Sequence, residues 1–345
     1  MKILFVYANI RSGNGPHFTP GPASISAVLK RAGHETALLW IQEEPAREDF
    51  LGEIRRHSPD VVGFTTFTGQ WTHIRRLTAW IRESLPVPVI HGGFHATVDR
   101  DNAIACPEVD LLCVGEGEYP MLELVERLAR GEPYDDVRNL WIKKPDGTVI
   151  RNPLRPLIQD LDALPFMDRD LVPSPWLRRQ GPLEGSILMA GRGCPFNCTY
   201  CINNALHRLY RGLGRYVRLR SPERVVEEAE FMRDVHGFRN LFIYDDTFTY
   251  HHPWLKRFCG LYRERVGLPF IVNVRVETVN PEVLGWLKHA GCRMFIAGIE
   301  SGSERIRREV LRRGMSNDRI AEAFRAADAL GIQTCINFID GAPTE

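Results

Sequence analysis

The sequence has no long apolar run. Its longest, such as residues 3–8, fall far short of the roughly 18–20 residues that span a bilayer. The chain opens directly into a short strand-like run and then Arg11, with nothing resembling a secretory leader, so the expected location is the cytoplasm. An excess of one charge is lacking too: 44 Lys and Arg face 43 Asp and Glu. Residues 1–150 carry 16 basic and 20 acidic side chains, and residues 151–345 carry 28 and 23. Neither balance suits a nucleic-acid binder. There is no low-complexity tract and no repeat of solenoid length. With 44% hydrophobic and 25% charged residues, disorder and fibrous classes are excluded. Cysteine is sparse, eight in 345, yet three of the eight fall within eight consecutive residues.

The length predicts two domains. Short apolar runs at 3–7, 36–40, 61–64, 87–90 and 111–114 alternate with helical patterns near 23–32, 47–57, 70–84, 96–105 and 119–130. That alternation predicts a Rossmann-like, doubly wound parallel sheet over residues 1–137. Such sheets bind ligands beyond the carboxyl ends of their strands. Here those ends carry small and glycine residues: the loop from Asn9 to Gly15, Thr65-Thr66, His91-Gly92-Gly93 and Gly115-Glu116-Gly117. Glycine admits close backbone approach, and several such loops on one rim point to a large ligand. Residues 138–184 are expected to connect the domains, with a hairpin around Asp146-Gly147. Six prolines follow, Pro153, Pro156, Pro165, Pro173, Pro175 and Pro182, which suit an extended linker.

Strand runs recur at 187–190, 241–244, 270–276, 294–299 and 334–339, with helical patterns at 221–235, 253–265, 280–290, 303–312 and 317–330. Ser221-Pro222-Glu223 and Asn280-Pro281-Glu282 read as capped helix starts. Residues 185–345 therefore predict a partial (β/α) barrel of TIM-like kind, working at the carboxyl ends of its strands. Soon after the fifth strand the sequence stops, so the expectation is a truncated chain or a short barrel.

Cys194, Cys198 and Cys201 lie just past the first of these strands in a C-x3-C-x2-C spacing. Clustered thiols in a reducing compartment read as metal ligands. Three of them suit an iron–sulfur cubane with one open iron. Structural zinc is the competing reading, with His207 completing a Cys3His set. Cys106, Cys113, Cys259, Cys292 and Cys335 read as small core residues.

The triplet, with aromatic Tyr200 before its last cysteine, resembles the signature of the radical S-adenosylmethionine (SAM) enzymes. Tyr244-Asp245-Asp246-Thr247-Phe248, Asn273-Val274-Arg275, Gly298-Ile299-Glu300-Ser301-Gly302-Ser303 and Gly341-Ala342-Pro343-Thr344-Glu345 resemble the later strand-end motifs. The first domain resembles the cobalamin-binding domain that precedes this barrel in one subfamily. Thr19-Pro20-Gly21, Pro59-Asp60-Val61-Val62-Gly63, Gly92-Gly93-Phe94-His95-Ala96-Thr97, Gly115-Glu116-Gly117-Glu118 and the linker segment Asp160–Pro165 carry that likeness. The D-x-H-x-x-G motif of other cobalamin proteins is lacking: Gly15 stands where its aspartate would precede His17. No histidine is therefore named as a cobalt ligand, and His91 and His95 read as loop or nucleotide-tail contacts.

The resemblance implies that Cys194, Cys198 and Cys201 hold a 4Fe-4S cluster whose open iron chelates SAM, yielding a 5′-deoxyadenosyl radical. Tyr200, Asp245, Arg275, Glu300 and Ser301 would line the SAM site. Thr65, Thr66, Gly92, Gly93, His95, Ala96, Gly115, Glu116 and Gly117 would meet cobalamin, with the two threonines donating hydrogen bonds. The implied activity is C-methylation of a small-molecule substrate, fed by a reductant such as flavodoxin or ferredoxin. The alternatives are a cobalamin-dependent cyclisation or ring rearrangement, and a non-catalytic corrinoid-binding module with structural zinc. Arg192, Arg208, Arg211, Arg215, Arg218 and Arg220 form a basic stretch that suits an anionic partner or a solvated face.

Overall fold

The computed structural model describes residues 1–12, 18–172 and 186–345. Gly15 and His17, with Pro173, Pro175 and Pro182 of the linker, lie outside the described residues. Among the described residues, 1–158 and 164–172 form one compact unit, and 159–163 and 186–345 form the other.

The first unit runs β1 (Lys2–Ala8), α1 (Pro20–Arg31), β2 (Glu35–Ile41), α2 (Arg47–His57), β3 (Val61–Thr65), α3 (Trp71–Ser84), β4 (Val89–Gly92), α4 (Phe94–Val98), α5 (Arg100–Ala105), β5 (Leu111–Cys113), α6 (Glu118–Arg130), β6 (Leu140–Lys143) and β7 (Val149–Arg151). Its sheet has the order β2-β1-β3-β4-β5-β6-β7. The first five strands pair in parallel. Helices cover them, so the inner strands read as continuous apolar runs, and β1 is buried from Leu4 to Ala8. Leu4, Val6, Val62 and Phe64 pack on Phe50, Ile54, Leu77 and Ile81 of α2 and α3.

The hairpin that the sequence places after this domain continues its sheet. Strand β6 pairs antiparallel to β5, and β7 to β6. Gly147 takes φ +86° at the turn, where Thr148 N donates to Asp146 Oδ1 at 2.9 Å. The helix expected over 96–105 is two short ones, α4 and α5, meeting at Asp99, because β-branched Thr97 and Val98 followed by aspartate propagate a helix poorly.

The second unit runs β8 (Ile187–Leu188), β9 (Gly191–Arg192), α7 (Ile202–Leu209), β10 (Arg218–Leu219), α8 (Pro222–Asp234), β11 (Leu241–Ile243), α9 (His252–Arg265), β12 (Phe270–Val274), α10 (Pro281–Ala290), β13 (Cys292–Glu300), α11 (Asn317–Ala329) and β14 (Gln333–Phe338). Five parallel strands form one sheet in the order β14-β13-β12-β11-β8. The predicted caps form: Ser221 Oγ accepts from Arg224 N at 3.1 Å, and Asn280 Oδ1 from Val283 N at 2.8 Å. Each βα repeat delivers a strand end to the same edge, which places the site.

The helix expected over 303–312 is instead a wide π turn over Ile306–Val310, with Leu311 N donating to Ile306 O at 3.0 Å. The cause is Arg307, whose side chain is fully buried. Its guanidinium donates to Ser301 O and Asn317 Oδ1, both at 2.6 Å, and to Met315 O at 3.2 Å. Three acceptors in the interior reward the turn that admits the charge.

Candidate functional site

Five strand ends converge in the second unit. The loop after β8 and β9 carries the cysteine triplet, β11 leads into Asp245, β12 into Arg275, and β13 ends on Glu300. Cys194 and Cys198 are buried and Cys201 is half-buried. Each sulfur has its own polar neighbour. Cys194 Sγ lies 3.6 Å from Thr247 Oγ1, and Asn203 Nδ2 donates to Cys201 Sγ at 3.5 Å. Arg275 Nη1 donates to Cys198 Sγ at 3.1 Å, and Arg313 Nη1 stands 3.8 Å from the same atom. Burial pushes the Cys194 thiol above the ordinary cysteine range.

Among the described residues no three His, Cys, Asp or Glu side chains stand in mutual ligating geometry. The donor set nonetheless fits an iron–sulfur cluster: three soft thiols from one loop, with guanidinium and amide donors directed at their sulfurs. It does not fit the zinc alternative. His207 Nε2 donates to the Cys194 carbonyl at 2.8 Å instead of turning toward the sulfurs, so the proposed fourth ligand is engaged elsewhere.

Glu300 occupies a strained position. It sits at φ +69°, where β13 breaks register against β14 between Gly298 and Glu300. A Cβ on Gly298 would overlap the Glu300 carboxylate, so glycine there lets the side chain fold back over the strand. Glu300 Oε1 accepts from Tyr200 OH at 2.8 Å and lies 3.6 Å from Arg313 Nη1, which also donates to Tyr200 OH at 3.0 Å. The Tyr200 phenol is pushed upward by partial burial, and it is still 44% exposed. Tyr200 and Glu300 are thus brought together. Ser301 follows, its hydroxyl donating to Glu345 and accepting from Ser303 N at 3.1 Å.

Asp245 and Arg275, both expected at the SAM site, are engaged within the chain. Asp245 is buried, and its carboxylate accepts from the backbone N–H of Ala190, at 2.8 Å, and of Gly191. It ties β11 to the end of β8, and burial raises its carboxyl to about 7. Arg275 is turned to Cys198 and to Glu277, which accepts from its Nη2 at 2.5 Å, while its guanidinium stacks 3.7 Å from the Phe196 ring centroid. Part of the basic stretch is engaged internally: Arg220 pairs with Glu228 at 2.5 Å, and Arg218 Nε donates to Tyr216 O at 3.2 Å.

In the first unit, the strand ends of β3, β4 and β5 bring the predicted residues onto one rim. Thr66 is fully buried: its hydroxyl donates to Gly92 O at 2.7 Å and accepts from Ala96 N at 3.1 Å, so its proton serves the loop. Gly93, at φ +94°, permits that packing, because a Cβ would stand 2.9 Å from Thr66 N. Gly117 packs against Ile25, and Ala96 is buried. Gly115 N donates to Thr97 Oγ1 at 3.0 Å, while Glu116 Oε2 accepts from Ile158 N at 2.9 Å. Thr65 and Gly92 stay partly open. His91 is a core residue, not a loop contact: it stacks on Phe64 at 5.5 Å, lies 2.9 Å from Thr78 Oγ1, and is held by burial near a pKa of about 4. His95 behaves differently. It is buried with Nδ1 3.2 Å from Thr68 Oγ1, yet its Nε2 has no hydrogen-bond partner, and Asp99 Oδ2 is 3.9 Å away. An orphaned buried ring nitrogen among the rim loops fits a polar group of a bound cofactor.

Sequence reasoning missed Arg313, Asn203 and Thr247. Thr247 lay inside a segment already singled out. Arg313 stood in an arginine-rich stretch that reads as an exposed helix end, and nothing local distinguished it.

Residues 188–345 match the Radical SAM superfamily, and residues 8–125 match the B12 binding domain. An uncharacterized methyltransferase of Pyrococcus horikoshii is 30% identical over all of this chain and 75% of its own length. An anaerobic magnesium-protoporphyrin IX monomethyl ester cyclase of Rubrivivax gelatinosus is 26% identical, and the chain spans 63% of it. Among solved structures, the radical S-adenosylmethionine methyltransferase TsrM of Kitasatospora setae, with cobalamin and a [4Fe-4S] cluster bound, superposes with TM-score 0.78 at 17% identity, over 99% of this chain and 70% of that one. Among the described residues no helix is long and apolar enough to cross a membrane. The chain belongs to the radical SAM superfamily, in the group that joins a B12-binding domain to the radical SAM domain.

Proposed function

We propose that the chain is a cobalamin-dependent radical SAM methyltransferase acting on a small molecule in the cytoplasm, with a flavodoxin- or ferredoxin-type reductant. The observation that carries the reading is the thiol triplet at the strand ends beside the Tyr200–Glu300 pair, on a chain whose relatives include methyltransferases. When bound, the cofactors would supply one-electron reductive cleavage of SAM and methyl-transfer chemistry.

Cys194, Cys198 and Cys201 hold the cluster in this reading. Glu300, fixed by the bulge and by Tyr200, accepts hydrogen bonds from SAM hydroxyl or amino groups, and the exposed part of the Tyr200 ring flanks the adenine. Ser301 sets the backbone that follows. In the first unit Thr65, Gly92, Gly93, Ala96, Gly115, Glu116 and Gly117 shape the cobalamin rim, and His95 Nε2 donates to or accepts from the nucleotide tail. Buried apolar strands beneath both rims exclude water from the reacting groups.

A second reading within the same chemistry is supported by the cyclase relative: an oxidative ring closure in place of methyl transfer. Products separate the two. The test is anaerobic reconstitution with iron, sulfide and hydroxocobalamin, metal analysis, then turnover with SAM and reductant. About four irons and one cobalt per chain are expected, with S-adenosylhomocysteine and 5′-deoxyadenosine both formed. 5′-Deoxyadenosine alone favours the cyclase, and zinc in place of iron overturns both.

A further inference from the structure

The three cysteine sulfurs are not equivalent. Thr247 offers Cys194 a hydroxyl and Asn203 offers Cys201 an amide, both neutral. Cys198 alone among the three has guanidinium nitrogens in hydrogen-bonding contact with its sulfur: Arg275 Nη1 at 3.1 Å and Arg313 Nη1 at 3.8 Å, both from buried side chains. Each arginine is held from behind. Arg275 is clamped between the Phe196 ring and Glu277, and Arg313 donates to Gly298 O at 2.5 Å and to Tyr200 OH. These groups are therefore preorganised around one sulfur and not merely nearby. Hydrogen bonds and positive charge at a ligand sulfur favour the more negative, reduced state of a cluster, and in a water-poor site they act with little screening.

We propose that Arg275 and Arg313 are positioning residues that raise the reduction potential of the cluster through Cys198. The proposal rests on the cluster reading above, and the reductive step it describes adds one electron, from the external reductant, to the cluster. A further consequence is coupling. Arg313 also touches Tyr200 and Glu300, so a ligand that engages Glu300 changes the charge that Arg313 shares with Cys198.

The test is an EPR-monitored redox titration of the reconstituted full chain and its variants, with iron content measured on each. Arg313→Gln and the paired Arg275→Gln/Glu277→Gln variant, which leaves no unpaired acid, are expected to keep about four irons. Each is expected to lower the equilibrium constant for one-electron reduction about tenfold, a midpoint shift of about 59 mV to more negative values. Arg313→Lys, which keeps the charge, is expected to recover part of the shift. A cluster signal with an unmoved midpoint in both variants overturns the proposal and leaves the cluster reading intact. Loss of iron from both also overturns it, since the arginines would then serve to build the ligand loop. Wild-type protein without a cluster signal defeats the underlying reading instead.

Discussion

Single side chains decide more here than their motifs indicate. The cysteine triplet was legible because its spacing is local, and Glu300 because it sits in a short glycine-flanked segment. Asp245 and Thr66 are engaged within their own loops, and a polar residue at a strand end looks the same in sequence whether it faces a ligand or closes its own loop. Arg313 was invisible because its role depends on reaching a residue far away in the chain. His91 illustrates how burial sets chemistry. Its ring is wholly enclosed and its pKa is lowered to about 4 from 6.5, so only the unfolded chain takes up the proton between those values. Stability from this group is complete above pH 6.5 and falls as pH drops toward 4. The size of the loss is about 3 kcal/mol, since one pKa unit is roughly 1.4 kcal/mol. Urea unfolding of wild type and His91→Asn from pH 4 to 8 is expected to give a shallower acid-side slope for the variant.

At the level of elements, periodicity and capping carried most of the prediction. Helices opening with Ser221-Pro222 and Asn280-Pro281 start where the sequence places them, because a cap followed by proline fixes both the first donor and the first φ. Ser221→Ala removes the acceptor for Arg224 N and is expected to cost about 1 kcal/mol, read as a lower denaturation midpoint. What the period did not reveal is irregular. The two-residue strands β9 and β10 are too short to alternate, and the π turn at Ile306–Val310 keeps an amphipathic pattern while its hydrogen bonding changes. The Arg307 guanidinium governs that turn, and a buried arginine is not anticipated from a stretch rich in surface-type charges.

Across the whole molecule, two units carry two separate sets of site residues, and the expectation of one parallel sheet followed by a run of βα repeats describes both. In the proposed reading each cofactor reports on its own unit. Cys198→Ser is expected to lower iron content while hydroxocobalamin still binds. His95→Ala is expected to keep iron and weaken corrinoid retention up to about tenfold, the worth of one hydrogen bond. Metal analysis and the corrinoid absorbance of the purified variants check both. The bulge in β13 has a further meaning for how such a chain tolerates change. Along this strand Phe295, Ala297 and Ile299 face inward by simple alternation, and the buried Glu300 follows only because the parity resets at the bulge. An unbroken odd–even pattern through the same nine residues would send the carboxylate to the opposite face. The chemistry of this edge thus depends on where the strand's parity resets as much as on residue identity.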